Sequence, residues 1–262
     1  MKLPQWLSVS RFFALLLLSA APGSLAQTII YPFDDEADWT RYNPIGGGSF
    51  STAGSAYHLQ AAAPATATYG PARAGSVLTG VTATDFTVSV DLVAWDPDLS
   101  QSIGIMARVN DIGLGSTNGY LFSYSPGRPS GSLAIELLQD EQIMFGETFK
   151  FTTDLNPALD YRMVFTGTGN TFSGSIYLLS DLTLPLATVD FTDLDSTYSM
   201  GSFGLLVADS NAYAPAINPL GPADATFDNF QVTAIPEPSA YAVLAGLVVL
   251  GLAAWRRRRP AA

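Results

Sequence analysis

The chain has 262 residues, with 23 acidic and 12 basic side chains, one histidine, no cysteine and a formal net charge of −11. The lack of cysteine excludes disulfides, thiolate metal sites and cysteine nucleophiles together. A single histidine excludes a His-rich zinc site and a helix-borne HExxH motif, and the acidic balance leaves no basic surface for phosphate backbones, so nucleic acid is not an expected partner.

At the start, Lys2 and Arg11 supply positive charge, Phe12 to Ala21 form an apolar stretch, and Ser24-Leu25-Ala26 offers small residues. This reads as a secretory signal peptide over residues 1–26, cut before Gln27, with signal peptidase and the general secretion machinery as partners. The apolar stretch is too short to span a bilayer.

Residues 27–233 form the next unit. They keep six basic residues (Arg41, Arg73, Arg108, Arg128, Lys150 and Arg162) and every acid except Glu237, for a net charge near −16. About 207 residues suffice for one hydrophobic core, which must supply the stability.

This unit reads as strands and turns. In Ala56 to Gln60, alternation sets His58 opposite Tyr57 and Leu59, a surface strand position rather than that of a general base. Ala61 to Gly75 is rich in Ala, Pro and Thr and reads as a loop or weakly paired edge. From Asp85 to Trp95 the residues Phe86, Val88, Val90, Leu92 and Ala94 share one face, and Thr87, Ser89 and Asp91 share the other. After the Asp96-Pro97-Asp98 turn, Ile103, Ile105, Ala107 and Val109 repeat the pattern. Further strands are expected over Gly119–Ser125, Ser132–Leu138, Gln142–Phe151, Tyr161–Thr166, Thr171–Leu179, Leu186–Phe191, Ser202–Ala208 and Ala225–Val232. Gly167 to Asn170 makes a hairpin turn, and Asn211 to Pro222 a long loop. No segment holds a helical period for three turns, so an all-β sandwich or barrel is expected.

Phe33-Asp34-Asp35 with Trp39, the hairpin Tyr161 to Phe165 with Gly174 to Tyr177, the segment Gly201 to Leu205 and the closing Phe227 to Val232 resemble concanavalin A-like lectin/glucanase folds. The resemblance implies a two-sheet antiparallel jelly-roll sandwich whose first and last strands lie close together. In the hydrolytic members one strand usually bears Glu-x-Asp-x-x-Glu, and that pattern is absent here. Glu136, Glu141 and Glu147 are the glutamates nearest to it, but a turn at Gln139-Asp140 interrupts them, and solvated strand edges are the plainer reading. No catalytic residue is therefore assigned. Nor is there a G-x-S-x-G motif, and Gly46-Gly47-Gly48 is a turn without a phosphate-loop lysine.

Asp34, Asp35, Glu36 and Asp38, with Asp228, would hold a structural calcium if the first and last strands pair; solvated turns are the alternative, and no cofactor is otherwise expected. Trp39, Trp95, Tyr120, Phe122 and Tyr124 would suit a sugar-stacking platform, although Tyr120, Phe122 and Tyr124 share the spacing of an ordinary core face.

The C-terminal unit, residues 234–262, has three parts: Pro236-Glu237-Pro238, an apolar run from Ala240 to Trp255, and Arg256-Arg257-Arg258-Arg259. As a helix the run of about 16 residues reaches roughly 24 Å, a little short of the ~30 Å hydrocarbon core, and Trp255 with the arginine stems covers the shortfall. The four arginines act as a cytoplasmic stop, which leaves Pro236 and everything before it outside. Physics alone allows an unprocessed single-span anchor. The order of motif, apolar helix and arginine cluster resembles the PEP-CTERM sorting signal of Gram-negative bacteria. That resemblance implies recognition by an exosortase, anchoring through residues 240–255, removal of the helix, and delivery to the envelope or extracellular matrix, where exopolysaccharide is a partner. Three readings follow for the ectodomain: a non-catalytic glycan-binding module, a secreted carbohydrate-active enzyme, and a ligand-free structural matrix protein.

Overall fold

The computed structural model describes residues 27–31, 33, 38–45, 48–65, 72–113, 115–127, 130–152, 154–210 and 221–235. The expected signal peptide and sorting tail lie outside the described residues, as do Asp34, Asp35 and Glu36. Among the described residues no helix is long and apolar enough to cross a membrane.

Gln27–Ile235 forms one compact unit of two antiparallel sheets. Its strands are β1 (Gln27–Tyr31), β2 (Trp39–Ile45), β3 (Gly48–Ala53), β4 (Ala56–Ala61), β5 (Arg73–Leu78), β6 (Asp85–Trp95), β7 (Gln101–Asn110), β8 (Asn118–Ser125), β9 (Ser132–Gln139), β10 (Gln142–Phe151), β11 (Tyr161–Thr168), β12 (Thr171–Leu178), β13 (Ala187–Thr192), β14 (Ser202–Asp209) and β15 (Ala223–Ile235). The eight-stranded sheet runs β13-β12-β11-β6-β15-β4-β3, with β1 also on β15; the seven-stranded sheet runs β10-β9-β8-β7-β14-β5-β2. The last strand is the organiser. One edge of β15 pairs with β6, and its other edge takes β4 along Ala223–Phe227 and β1 along Phe230–Ala234. First and last strands thus pair directly, as the jelly-roll resemblance implied.

The core follows from the alternation. Phe86, Val88, Val90 and Leu92 from one sheet meet Ile103, Ile105, Tyr120, Phe122, Tyr124, Leu133 and Ile135 from the other, all fully buried. Each such large apolar side chain contributes about 1.5–3 kcal/mol by leaving water. Gly174 makes room for the sheets to meet: a Cβ there would land on the Phe122 ring of the opposite sheet.

The structure corrects several expectations. Val109 does not share the face of Ile103, Ile105 and Ala107 but belongs to a separate apolar cluster with Val77, Met106, Leu121, Leu138 and Leu206. A bulge is the cause. Arg108 has φ +50°, the register of β7 slips against both β8 and β14 there, and the extra residue resets the alternation. The end of the Ala61 to Gly75 stretch is not loop: β5 begins at Arg73 and pairs on both edges, with β14 and β2. Periodicity alone assigns no strand to β1, β2 or β3. They are short, and β2 carries Pro44 where its register slips between Tyr42 and Ile45, a place where a missing N–H breaks no ladder bond.

Among the described residues Arg108 is the largest fully buried side chain. The bulge turns it inward, over the rings of Phe86, Tyr120 and Phe172, the last at 4.9 Å from the guanidinium carbon. It donates to the carbonyls of Thr84, Gly169 and Tyr198 at 2.7–3.0 Å. Three connections are thereby gathered at one end of the sandwich. Burial depresses the Arg108 pKa, and neighbouring Tyr120 and Asp85 oppose that fall.

Candidate functional site

The seven-stranded sheet gives its inner face to the main core, and its outer face is buried as well: Val77, Met106, Leu121, Ser123 and Leu206 on it are 5% exposed or less. Across the strands one outward row runs Glu136, Leu121, Met106, Gly204 and Val77; the next runs Ala134, Ser123, Gly104, Leu206 and Gly75. Small residues dominate the second row. A Cβ on Gly104 would sit 2.5 Å from the Phe122 carbonyl oxygen, and one on Gly204 2.5 Å from that of Ser76, so neighbouring strands close tightly there.

Two charged groups converge over this face. Arg73 starts β5, and Glu141 sits in the turn between β9 and β10, four strands away and near the opposite strand ends. Yet the Arg73 terminal nitrogen donates to Glu141 Oε2 at 2.7 Å. The Glu141 carboxylate also accepts from the Gly115 amide, and its own amide donates to the Thr117 carbonyl at 2.8 Å. Asp140 and Glu141 both have positive φ, which folds the tight turn back toward the β7–β8 loop.

Sequence reasoning treated these glutamates as solvated edges, and the structure corrects this. Glu136 is 6% exposed on the outer face, and the Glu141 side chain is 5% exposed against Arg73. The side chain of Glu147 lies outside the described residues. Arg73 was missed as a site residue because it falls inside a Pro- and Ala-rich stretch. Its scarcity as one of six basic side chains was the one available signal.

The proposed stacking aromatics are core. Trp39, Trp95, Tyr120, Phe122 and Tyr124 are all 6% exposed or less. Tyr120 donates to Asp193 at 2.6 Å and Tyr124 to Asp154 at 2.8 Å, so each hydroxyl is held by a loop carboxylate and burial pushes its pKa up. His58 sits on β4, between β15 and β3, with Nε2 3.1 Å from Asp224 Oδ2. Asp228 accepts from the neighbouring Asn229 amide at 2.7 Å, and Asp38 is exposed. Among the described residues no three His, Cys, Asp or Glu side chains gather as a metal site. A separate hollow of about 360 Å³ is lined by Ala158, Leu159, Asp160, Leu178, Leu179 and Ser180, with a single carboxylate.

Comparison with known proteins adds two findings. The family described as PEP-CTERM protein-sorting motif matches residues 234–259, so the chain carries that motif, which implies exosortase-dependent export. Among solved structures, a carbohydrate-binding module from Bacillus subtilis superposes with a TM-score of 0.52 at 18% identity, over 75% of this chain and 96% of that one. A protein with a galectin-like fold from the same organism gives 0.53 at 15%, over 80% and 98%. A legume lectin-like domain from Entamoeba histolytica gives 0.51 at 8%, over 80% and 97%. At such identities the likeness establishes the fold, a lectin-like jelly roll. A search of curated proteins finds no match.

Proposed function

We propose that this chain is a surface or extracellular-matrix protein, sorted by an exosortase, whose sandwich is a non-catalytic glycan-binding module. The observation that supports the reading is the lectin-like jelly roll, with the Arg73–Glu141 pair set over one face of its seven-stranded sheet. An arginine, its side chain 16% exposed, and a carboxylate offer donors and acceptors for sugar hydroxyls. The likeness to carbohydrate-binding modules and lectins supports the same class of ligand.

A glycan array with Gln27–Ile235, followed by calorimetry on the hits, tests this. Arg73→Met with Glu141→Gln is expected to weaken binding about tenfold or more, equivalent to ~1.4 kcal/mol. Binding to no glycan, host exopolysaccharide included, favours the ligand-free structural role. The enzyme reading draws on Glu136, a buried acid on the same face. Reducing-end release that Glu136→Gln abolishes would establish it. For the tail, intact-mass analysis of the envelope fraction is expected to find mature protein lacking residues from about Pro238 onward. Abundant peptides spanning Tyr241 to Arg256 would favour the unprocessed anchor.

A further inference from the structure

A sheet edge is a row of unpaired N–H and C=O groups that invites another chain, and folded proteins blunt such rows with charge, proline or bulges. Among the described residues most edge strands are blunted in this way. β13 carries Asp190 and has its Thr188 carbonyl taken by Lys150 Nζ at 2.9 Å. β10 carries Glu147 and Lys150, and its register shifts between Met144 and Thr148. β2 carries Arg41, with Pro44 at its own register shift, and β1 is followed by Pro32 and then Asp34-Asp35-Glu36. β3 has none of these devices. Neither it nor its partner β4 carries Asp, Glu, Lys or Arg, and none occurs anywhere between Arg41 and Arg73. In a domain with a net charge near −16, this edge brings no charge of its own to a second copy.

The β3–β4 hairpin fixes which groups point outward. Gly54 and Ser55 have φ +62° and +67°, as in a two-residue type I′ turn, so the flanking Ala53 and Ala56 exchange both hydrogen bonds. Alternation then turns the backbone groups of Ser51 and Ser49 toward β4 and leaves the N–H and C=O of Phe50 and Thr52 facing away from it. Among the described residues no strand pairs with that side of β3. The Phe50 side chain is half-buried against the core, with the Arg41 guanidinium carbon 5.4 Å from its ring centre, while Ser49 and Ser51 are exposed.

We infer that the edge of β3 is a self-association surface, to which a second copy of this chain adds its own β3 in antiparallel sense. A two-fold axis at Ser51 sets Phe50 of each copy opposite Thr52 of the other, so the outward backbone groups of both residues are satisfied and every side chain brought together is uncharged. One strand pair buries less than the ~1,200 Å² of a stable interface, so the dimer forms at high local concentration rather than in dilute solution. Two sandwiches joined in this way share one continuous sheet and present any ligand face twice, which raises avidity on a repeating polymer. The inference stands whether or not the ligand is a glycan.

Gln27–Ile235 is one compact unit that holds the core and every strand, so it serves as the test protein. Sedimentation from about 10 μM to about 1 mM is expected to show monomer passing to dimer. Ser51→Asp sets like charges directly opposite each other at the axis and should raise the dissociation constant about tenfold or more without lowering the melting temperature. The absence of cysteine makes a second readout clean. Across the axis the two Ser51 Cα atoms stand about 4.5 Å apart, within disulfide reach, whereas the two Ser49 Cα atoms on the same face are roughly 13 Å apart. Ser51→Cys should therefore oxidise to a linked dimer about tenfold faster than Ser49→Cys, or more. A protein that stays monomeric at the highest concentration, or equal oxidation rates at the two positions, overturns the inference. A dimer that Ser51→Asp leaves intact assigns association to another surface and refutes it as well. A monomer whose β3 amide signals move only when an uncharged extended peptide is added gives the edge to a different chain and refutes self-pairing.

Discussion

Arg162 on β11 lies directly across from Asp91 on β6, with Nε 2.7 Å from Oδ1 and the terminal nitrogen 2.9 Å from Oδ2. Asn229, at the bulge of β15 with φ +51°, donates a third bond to Asp91 at 2.9 Å. The hydrogen bonds to Asp91 raise the Arg162 pKa against the opposing effect of burial. Asp91 is only 1% exposed, although it points away from the main core.

Removing one member strands the other. Arg162→Ala leaves a buried carboxylate without its cation and is expected to cost about 3–5 kcal/mol, whereas Asp91→Leu with Arg162→Met should cost much less. Urea midpoints of the three proteins decide it. A loss in the double variant as large as in Arg162→Ala would mean that stranding the Asp91 charge is not what costs the stability.

Arg108→Met keeps much of the apolar stem but strips the donors from three carbonyls. The expected loss is about 3–5 kcal/mol, because several hydrogen bonds made by one buried side chain are lost at once. Amide exchange should quicken in the segments around Thr84, Gly169 and Tyr198 before the rest of the domain. Uniform exchange across the sandwich would show that Arg108 does not act as the tie between those connections.

Gly174→Ala tests the contact between sheets. One methyl group must displace the Phe122 ring, an overpacking that costs about 1–3 kcal/mol. Pairing it with Phe122→Leu should recover part of the loss. A neutral single variant, measured by thermal melting, would mean the sheets can separate freely at that point.

Asp193 gives the domain an acid-sensitive joint. Burial disfavours its charge, but hydrogen bonds from Tyr120, Thr197 and Asp195 outweigh that and hold its carboxyl below the ordinary 3.8. A carboxyl depressed in the folded state stabilises above its unfolded pKa and loses that contribution as pH falls through the folded value. Stability should therefore drop below about pH 4, and Asp193→Asn should flatten that part of the curve while lowering stability at pH 7. Parallel wild-type and variant curves from pH 3 to 7 would remove Asp193 from the account.

The sequence by itself determined the all-β class, most strands from Asp85 onward and the sorting tail. Strands such as Asp85–Trp95 are central and half-buried, so period-two alternation writes their packing directly into the chain. The tail is read by local order of motif, apolar run and arginines, which needs no folding partner. Only the tertiary structure decided that Arg108 turns inward, because a one-residue bulge resets alternation without a compositional mark. It also decided that Arg73 and Glu141 meet, since they stand 68 positions apart in the chain on strands that are not neighbours in the sheet. The pairing of β1 with β15 is of the same kind: a short strand with little pattern of its own becomes a strand because the edge of another, 200 residues later, offers it hydrogen bonds.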